Sequence, residues 1–252
     1  MNIVVPMAGA GSRFSKAGYD LPKPLIPVLG KPMIKLVIEN LTPKDFDVHF
    51  IFLVQQGHIE KYRVDKLLRS WAPSADIVPV NGLTEGAACT VLLGRELFNN
   101  ETPLLIANCD QFIDCSMDNF ITNWKEHDYD GMIMTMKAND PKWSFVGFDA
   151  NGRAERVVEK EVISDEATVG IYGFKKGTDF ARYADEMISK NDRVNKEFYV
   201  APTYNYMIRE GGRIGIYNIG AERNGMYGLG IPSDLEYFET LPLAKKVCEN
   251  RI

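Results

Sequence analysis

Short apolar runs alternate with amphipathic stretches along the first half of the chain. An apolar run of this length predicts a buried strand, and apolar residues that recur every three or four positions predict a helix. Strands are predicted at 2–6, 48–54, 75–80 and 104–107, and helices at 32–40, 57–71 and 86–96. This alternation indicates an α/β protein with a doubly wound, mostly parallel, Rossmann-like sheet and helices on both faces.

After residue 117 the pattern changes to strands that short turns separate. Strands are predicted at 132–137, 145–149, 154–159, 169–174 and 213–217, and helices at 178–190 and 201–210. No internal repeat, low-complexity tract or Ser/Gly linker divides the chain. We therefore predict a single domain, 1–252, whose second half (about 117–252) adds a β elaboration to the sheet of the first (about 1–116).

Composition and charge narrow the class of protein. Of the 252 residues, 45% are hydrophobic and 25% are charged, which is typical of a globular protein. The net charge of −5 gives no basic field for nucleic acid or anionic lipid. No apolar run approaches the ~18–20 residues of a membrane span, the N-terminus lacks a basic leader, and the four cysteines show no CxxC spacing. We expect a cytoplasmic protein without nucleic-acid or membrane partners, and homo-oligomerisation stays open.

A glycine-rich turn directly follows the first predicted strand. Backbone N–H groups in such a turn can approach a phosphate closely. Residues 1–40 also hold five basic and two acidic residues, so positive charge is gathered around this turn. A tight strand–helix turn with solvated lysines is the alternative for the turn alone, since it is neither a Walker A loop nor a full GxGxxG fingerprint. The turn consists of Ala8, Gly9, Ala10, Gly11 and Ser12.

Two basic residues complete the motif: Arg13, directly after the turn, and Lys23, between two prolines. With them, the segment closely resembles the signature of the sugar-phosphate nucleotidyltransferases, also called nucleoside-diphosphate-sugar pyrophosphorylases. The resemblance implies that the turn wraps the triphosphate of an NTP. It also implies catalytic roles, with Arg13 on the leaving phosphates and Lys23 on the α-phosphate.

Residues 83–88 resemble the loop with which this family reads the nucleobase. The resemblance implies that Thr84, Glu85 and Gly86 bind the nucleotide, although the threonine that usually follows the glycine is Ala87 here. Taken alone, the stretch also fits the capped start of a helix. It does not distinguish CTP, UTP, dTTP and GTP.

Asp110 follows the buried strand 104–107, at the end where open α/β sheets bind ligands. The resemblance makes Asp110 a ligand of a Mg²⁺ cofactor, in keeping with the preference of Mg²⁺ for one or two carboxylates plus phosphate oxygens. A helix-capping aspartate is the alternative. The family commonly carries a second metal-binding Asp where this chain has Gly228, so either another group such as Glu222 supplies that oxygen or one carboxylate suffices.

Two stretches of the second half, 145–148 and 157–160, resemble the strands with which the family binds its acceptor. The resemblance implies that Gly147 and Glu159 meet hydroxyl groups of the acceptor and that Lys160 meets its phosphate. Tyr204 and Asn205 are further acceptor-binding candidates, with core packing as the alternative for the aromatic ring.

The sequence therefore predicts an enzyme that transfers a nucleoside monophosphate from an NTP to a sugar phosphate or related phosphorylated acceptor, with release of pyrophosphate. A glycosyltransferase that uses a nucleotide sugar is one alternative, but the Asp-x-Asp such enzymes commonly carry is missing from 110–114. A catalytically silent nucleotide sensor is the other, and the retained basic motif argues against it. The histidines lack metal-ligand spacing and are expected in surface or packing roles: His49, His58 and His127.

Overall fold

A computed structural model describes residues 1–249 and confirms the alternation of strands and helices in the first half. The elements are β1 (Asn2–Pro6), α1 (Ser12–Lys16), β2 (Pro27–Val28), β3 (Lys31–Pro32), α2 (Met33–Leu41), β4 (His49–Gln55), α3 (Gln56–Tyr62), α4 (Val64–Trp71), β5 (Asp76–Val80), α5 (Ala87–Leu92), α6 (Arg95–Phe98) and β6 (Leu104–Ala107).

Two predicted helices are each split into two shorter ones. The helix predicted at 57–71 breaks at Arg63, whose left-handed backbone (φ 55°) cannot continue a right-handed helix. The helix predicted at 86–96 is interrupted at Gly94, which has the lowest helix propensity after proline. Both pairs still pack on the sheet, so the predicted layering holds.

The second half contains further strands and helices. The elements are β7 (Gln111–Ile113), α7 (Met117–His127), β8 (Gly131–Lys137), β9 (Ser144–Phe148), β10 (Ala154–Glu159), β11 (Glu166–Phe174), α8 (Gly177–Ser189), α9 (Tyr204–Arg209), β12 (Ile214–Glu222), β13 (Gly225–Gly228), α10 (Pro232–Thr240) and α11 (Pro242–Cys248). The sequence pattern did not predict α1, β2, β3, β7, α7, β13, α10 or α11.

Strands from both halves form one continuous sheet in the order β5-β4-β1-β6-β11-β8-β12-β13-β7. The first four are parallel, β11 is antiparallel to β6, and β8 and β12 run in the direction of β6 again. The β9–β10 hairpin attaches to β11 through Ala167 and Phe145. The sheet is thus mixed and mostly parallel, as predicted. That the first half binds the nucleotide and the second half binds the acceptor stays a prediction.

Helices cover both faces of the sheet. Helices α2, α3, α4 and α7 pack on one face, with Leu105 of β6 beneath them. Helices α5, α6, α8 and α9 pack on the other, over Ile106 of the same strand. Because both faces of β6 are buried, its four residues are all apolar. Within residues 1–249 no helix is long and apolar enough to cross a membrane.

Candidate active site

The glycine-rich turn lies at the carboxyl end of β1 and leads into α1. Gly11 has a left-handed backbone (φ 60°), and a Cβ there would lie 3.5 Å from the Cβ of Lys23. Gln55, the last residue of β4, donates hydrogen bonds from Nε2 to the carbonyl oxygens of Ala8 and of Gly82, the latter at 3.2 Å. One amide therefore ties the turn to the loop that precedes α5. Sequence reasoning missed Gln55. The only indication in the sequence is that Gln55 is a polar residue at the end of an apolar strand.

Lys23 and Asp110 meet at the end of the sheet where the glycine turn lies, although they are 87 positions apart in the sequence. Nζ of Lys23 lies 2.8 Å from Oδ2 of Asp110, and both side chains are about three-quarters buried. Burial disfavours the lysine charge, but the neighbouring carboxylate outweighs it and raises the pKa of Lys23. The ammonium group is therefore firmly charged where the glycine turn meets the end of β6.

The backbone that faces Asp110 leaves space for its carboxylate. Leu229 donates its N–H to the carbonyl of Asp110 at 2.8 Å, and a Cβ at Gly230 would lie 2.7 Å from Oδ2 of Asp110. A side chain at Gly230 would push the carboxylate away from Lys23. Sequence reasoning did not single out this glycine.

Gly228, where the family's second metal-binding carboxylate was expected, faces the carboxylate of Asp234. A Cβ at this position would lie 3.4 Å from Oδ2 of Asp234. The other carboxylate oxygen of Asp234, Oδ1, forms an ion pair with Arg223 at 3.2 Å. Glu222, the suggested substitute ligand, pairs with Lys142 at 2.7 Å. No cluster of three or more His, Cys, Asp or Glu side chains suited to a metal occurs among residues 1–249.

Arg13 lies on α1 with an exposed side chain. Among the described residues it has neither an ion pair nor a side-chain hydrogen bond, yet it is close enough for its charge to oppose that of Lys23. The guanidinium group is thus available to an anion that reaches the turn. Ser12 begins α1, where its carbonyl accepts a hydrogen bond from Ser15 at 3.1 Å.

The loop with Thr84, Glu85 and Gly86 is braced by a segment from the second half. Gly86 has a φ of 134°, and a Cβ there would lie 2.5 Å from the backbone N of Phe198. Phe198 donates to the carbonyl of Glu85 (2.8 Å) and accepts from the N–H of Ala88 (3.0 Å). The hydroxyl of Thr84 bonds within the loop, to the Gly86 carbonyl at 3.0 Å.

The carboxylate of Glu85 pairs with Arg193, whose guanidinium stacks 4.2 Å from the ring centre of Phe198. The same segment therefore holds the loop through both its backbone and its charge. The loop remains a predicted base-binding site.

The acceptor-binding candidates Gly147, Glu159 and Lys160 lie on or directly after the β9–β10 hairpin. Glu159 is buried, accepts a hydrogen bond from Ser144, and has its pKa raised by burial. Nζ of Lys160 donates to the hydroxyl of Tyr199 at 2.7 Å and lies 4.8 Å from that ring's centre. A Cβ at Gly147 would lie 2.8 Å from Cδ1 of Ile163, so a side chain there would require the Ile163 side chain to move.

Tyr204 and Asn205 hold the framework together. Tyr204 is fully buried, stacks on Phe174 at 4.6 Å, and donates its hydroxyl to the carbonyl of Gly173 at 2.8 Å. The side-chain amide of Asn205 accepts from the N–H of Val157 and donates to its carbonyl, both at 2.8 Å. Core packing, the alternative weighed for Tyr204, is what the structure shows, and Asn205 positions β10.

Sequence reasoning also missed Gln111, which directly follows Asp110. Its side chain is buried, and Nε2 has no hydrogen-bond partner among residues 1–249. The adjacency to Asp110 was the available signal. Of the histidines, His49 pairs with Asp76 at 2.8 Å and His127 stacks on Tyr129, in keeping with packing roles.

This end of the sheet thus gathers a glycine turn, a charged lysine, an exposed arginine, a carboxylate and a braced loop. The hairpin with Lys160 lies on the other side of β6. Fixed positive groups around a turn of free N–H groups neutralise phosphate charge. The arrangement is suited to holding a phosphorylated compound beside Lys23 and Asp110.

Comparisons with known proteins show what the chain is similar to. The profile of the Nucleotidyl transferase family matches residues 3–205. A "Mannose-1-phosphate guanyltransferase beta-B" from Xenopus laevis is 28% identical over 184 residues, which cover 69% of this chain and 49% of that protein. The chain therefore spans about half the length of the curated relatives it matches.

Two solved structures share the fold over nearly their whole length. A nucleoside-diphosphate-sugar pyrophosphorylase from Vibrio cholerae RC9 is 25% identical with a TM-score of 0.81, and covers 95% of this chain and 100% of its own. A UDP-glucose pyrophosphorylase complexed with UDP-glucose is 16% identical with a TM-score of 0.76, and covers 97% of this chain and 98% of its own.

Proposed function

The chain belongs to the Nucleotidyl transferase family, and on that premise we propose that it transfers a nucleoside monophosphate from an NTP to a sugar phosphate, with release of pyrophosphate. The observation that carries the proposal is the Lys23–Asp110 pair. It joins the glycine turn, which can hold a triphosphate, to the end of β6, whose neighbour β11 carries the acceptor hairpin.

The reaction needs no general base. The attacking oxygen belongs to the acceptor phosphate and is already anionic, so it displaces pyrophosphate from the α-phosphorus directly. Orientation and neutralisation of the developing charge supply the catalysis. Lys23 neutralises the α-phosphate, Arg13 faces the leaving phosphates, and the N–H groups of residues 8–12 hold the chain of phosphates in place.

On the acceptor side, Lys160 supplies the charge for the acceptor phosphate. Its hydrogen bond to Tyr199 fixes the direction in which the ammonium group points. Glu159 and the backbone at Gly147 would meet acceptor hydroxyls, and the raised pKa of Glu159 means that it binds a proton more readily than an ordinary glutamate. The amide of Asn205 holds the strand that carries these groups.

The residues present are compatible with Mg²⁺. Asp110 is a carboxylate that follows the carboxyl end of β6, beside Gly230, which has no side chain to displace it. Mg²⁺ often takes only one or two carboxylates besides phosphate oxygens and water. When bound, the ion would neutralise charge on the α-phosphate. Asp110 is the residue that would hold it, and Asp234, beside Gly228, is already paired with Arg223.

A pyrophosphate-release assay over a matrix of NTPs and phosphorylated acceptors tests the proposal. We expect release that requires both an NTP and an acceptor, and the matrix identifies the base and the acceptor. The relative named above acts with a guanylyl group on mannose 1-phosphate, so GTP with that sugar phosphate belongs in the matrix. Free nucleoside diphosphate formed from a nucleotide sugar would instead indicate glycosyl transfer, and binding without turnover would indicate a sensor.

A further inference from the structure

A cavity of about 300 Å³ opens beside the glycine turn. One wall is formed by residues 9–11 and Lys23, and the other by the first turns of α3, including His58 and Lys61. This volume is at the lower end of the range of small-molecule sites. The residues of α3 play no part in the chemistry described so far.

The polar groups of the cavity favour an anion. Lys23 and Lys61 are cationic, and Asp20 is the acidic side chain in the lining. Nζ of Lys61 lies 4.9 Å from the ring centre of Tyr62, whose hydroxyl donates to the backbone carbonyl of Asp20 at 3.2 Å. That bond ties α3 to the segment after α1, so the two walls are joined at one end.

His58 adds an uncharged donor. Its side chain is about half buried, and burial lowers its pKa. A neutral imidazole carries one N–H and can donate one hydrogen bond to a phosphate oxygen. No hydrogen bond to another residue of the range 1–249 occupies this ring.

The position of the cavity indicates which phosphates it receives. The strands β4, β1, β6 and β11 are neighbours in the sheet in this order. Helix α3 follows β4, the glycine turn follows β1, Asp110 follows β6, and the acceptor hairpin attaches to β11. In a direct displacement at phosphorus, the leaving group departs on the side opposite the attacking oxygen. With the acceptor on the β11 side of Lys23 and Asp110, the leaving group lies on the β4 side, where α3 stands.

The loop proposed to bind the base is on the other face of the sheet from this cavity. Helix α5, which follows that loop, packs on one face of the sheet. Tyr62 of α3 packs on the opposite face. The cavity is therefore separate from the space that the base would fill.

We propose that His58 and Lys61, with the turn at 9–11, form the subsite for the pyrophosphate that leaves during the reaction. This inference rests on the proposed function. It adds two residues that the sequence motifs did not include.

Titration of the full chain with inorganic pyrophosphate in the presence of Mg²⁺ tests the subsite. Lys61→Met keeps the aliphatic stem and removes the charge, and should weaken binding about 10-fold or more, the scale of one charge-assisted hydrogen bond. Lys66→Met on α4 is the matched control, because Lys66 is exposed and outside the cavity lining. It should change the affinity less than 2-fold, and His58→Asn should give a smaller loss than Lys61→Met.

Steady-state kinetics give an independent measurement. Lys61→Met should raise the KM of the NTP and leave the KM of the acceptor unchanged. Equal losses in the two lysine variants, or no loss in either, would overturn the subsite. If the wild type releases pyrophosphate in the matrix assay but Lys61→Met behaves normally, the subsite alone is wrong. If the wild type neither releases nor binds pyrophosphate, the proposed function and the subsite fall together.

Discussion

Replacement of Gly86 by alanine tests whether the braced loop depends on the close approach of two backbones. Gly86 has φ 134° and ψ 172°, a region that only glycine enters readily, and alanine there costs ~1–3 kcal/mol. The new Cβ would also lie within 3 Å of the backbone of Phe198, whose two hydrogen bonds to the loop would break. At ~1 kcal/mol for each bond, the total loss in unfolding free energy is about 3–5 kcal/mol.

Gly82→Ala is a matched control in the same loop. Gly82 also has a positive φ (75°), but nothing lies within 4 Å of its Cβ position, so only the backbone strain of ~1–2 kcal/mol applies. For a chain of this size, 1 kcal/mol shifts the Tm by ~2–4 °C. We expect a Tm lower by about 10 °C for Gly86→Ala and by only a few degrees for Gly82→Ala.

Thermal unfolding followed by circular dichroism measures both variants, and the KM of the NTP reports the loop itself. Gly86→Ala should raise that KM while the acceptor KM changes little. Equal Tm values for the two variants would refute the reasoning, because the contact with Phe198 would then contribute nothing beyond backbone strain.

Three further predictions concern the charged groups and the hairpin. Asp110→Asn should keep the circular dichroism spectrum and lose most turnover. It removes the main group that offsets the burial of Lys23, so the pKa of Lys23 should fall and the residual activity should decline as pH rises; a flat alkaline pH–rate profile would contradict the assigned ion pair. Lys23→Ala should lower kcat by ~10²-fold, the scale of one lost electrostatic stabiliser, while Lys160→Ala should mainly raise the acceptor KM; an effect of Lys160→Ala confined to NTP binding would reverse our assignment of the halves. Asn205→Ala removes two hydrogen bonds to Val157 and should lower the unfolding free energy by ~2 kcal/mol; unchanged urea denaturation would show that β10 does not depend on this amide.

The strands β1, β4 and β6 of the first half were predictable because they are buried on both faces. A strand such as β6 must then be wholly apolar, and this signal survives in a single sequence. The break at Arg63 was not predictable, since a left-handed arginine leaves no trace in the hydrophobic pattern. The short strands β7 (QFI) and β13 (GMYG) carry no such signal, because a glutamine or glycines stand among their few apolar residues.

The candidate site was predictable only as separate motifs. Lys23 and Asp110 were both singled out, but nothing in the sequence states that they form an ion pair across 87 positions. His58 was assigned to the surface or to packing because it has no metal-ligand spacing, and only the fold brings it to the cavity beside the turn. Tyr204 shows the opposite error. The sequence made it a candidate for acceptor binding, and nothing in the sequence indicates that its hydroxyl forms a hydrogen bond inside the core.

The segment 198–205 contacts both predicted substrate sites. Phe198 bonds the loop at 84–86, Tyr199 bonds Lys160, and Asn205 bonds β10, all within eight residues of chain. Effects of substitutions add only when the sites share no partner. A variant that accepts a new base and a variant that accepts a new sugar should therefore not combine additively, so a library that aims to change both substrates should vary this segment together with the two sites.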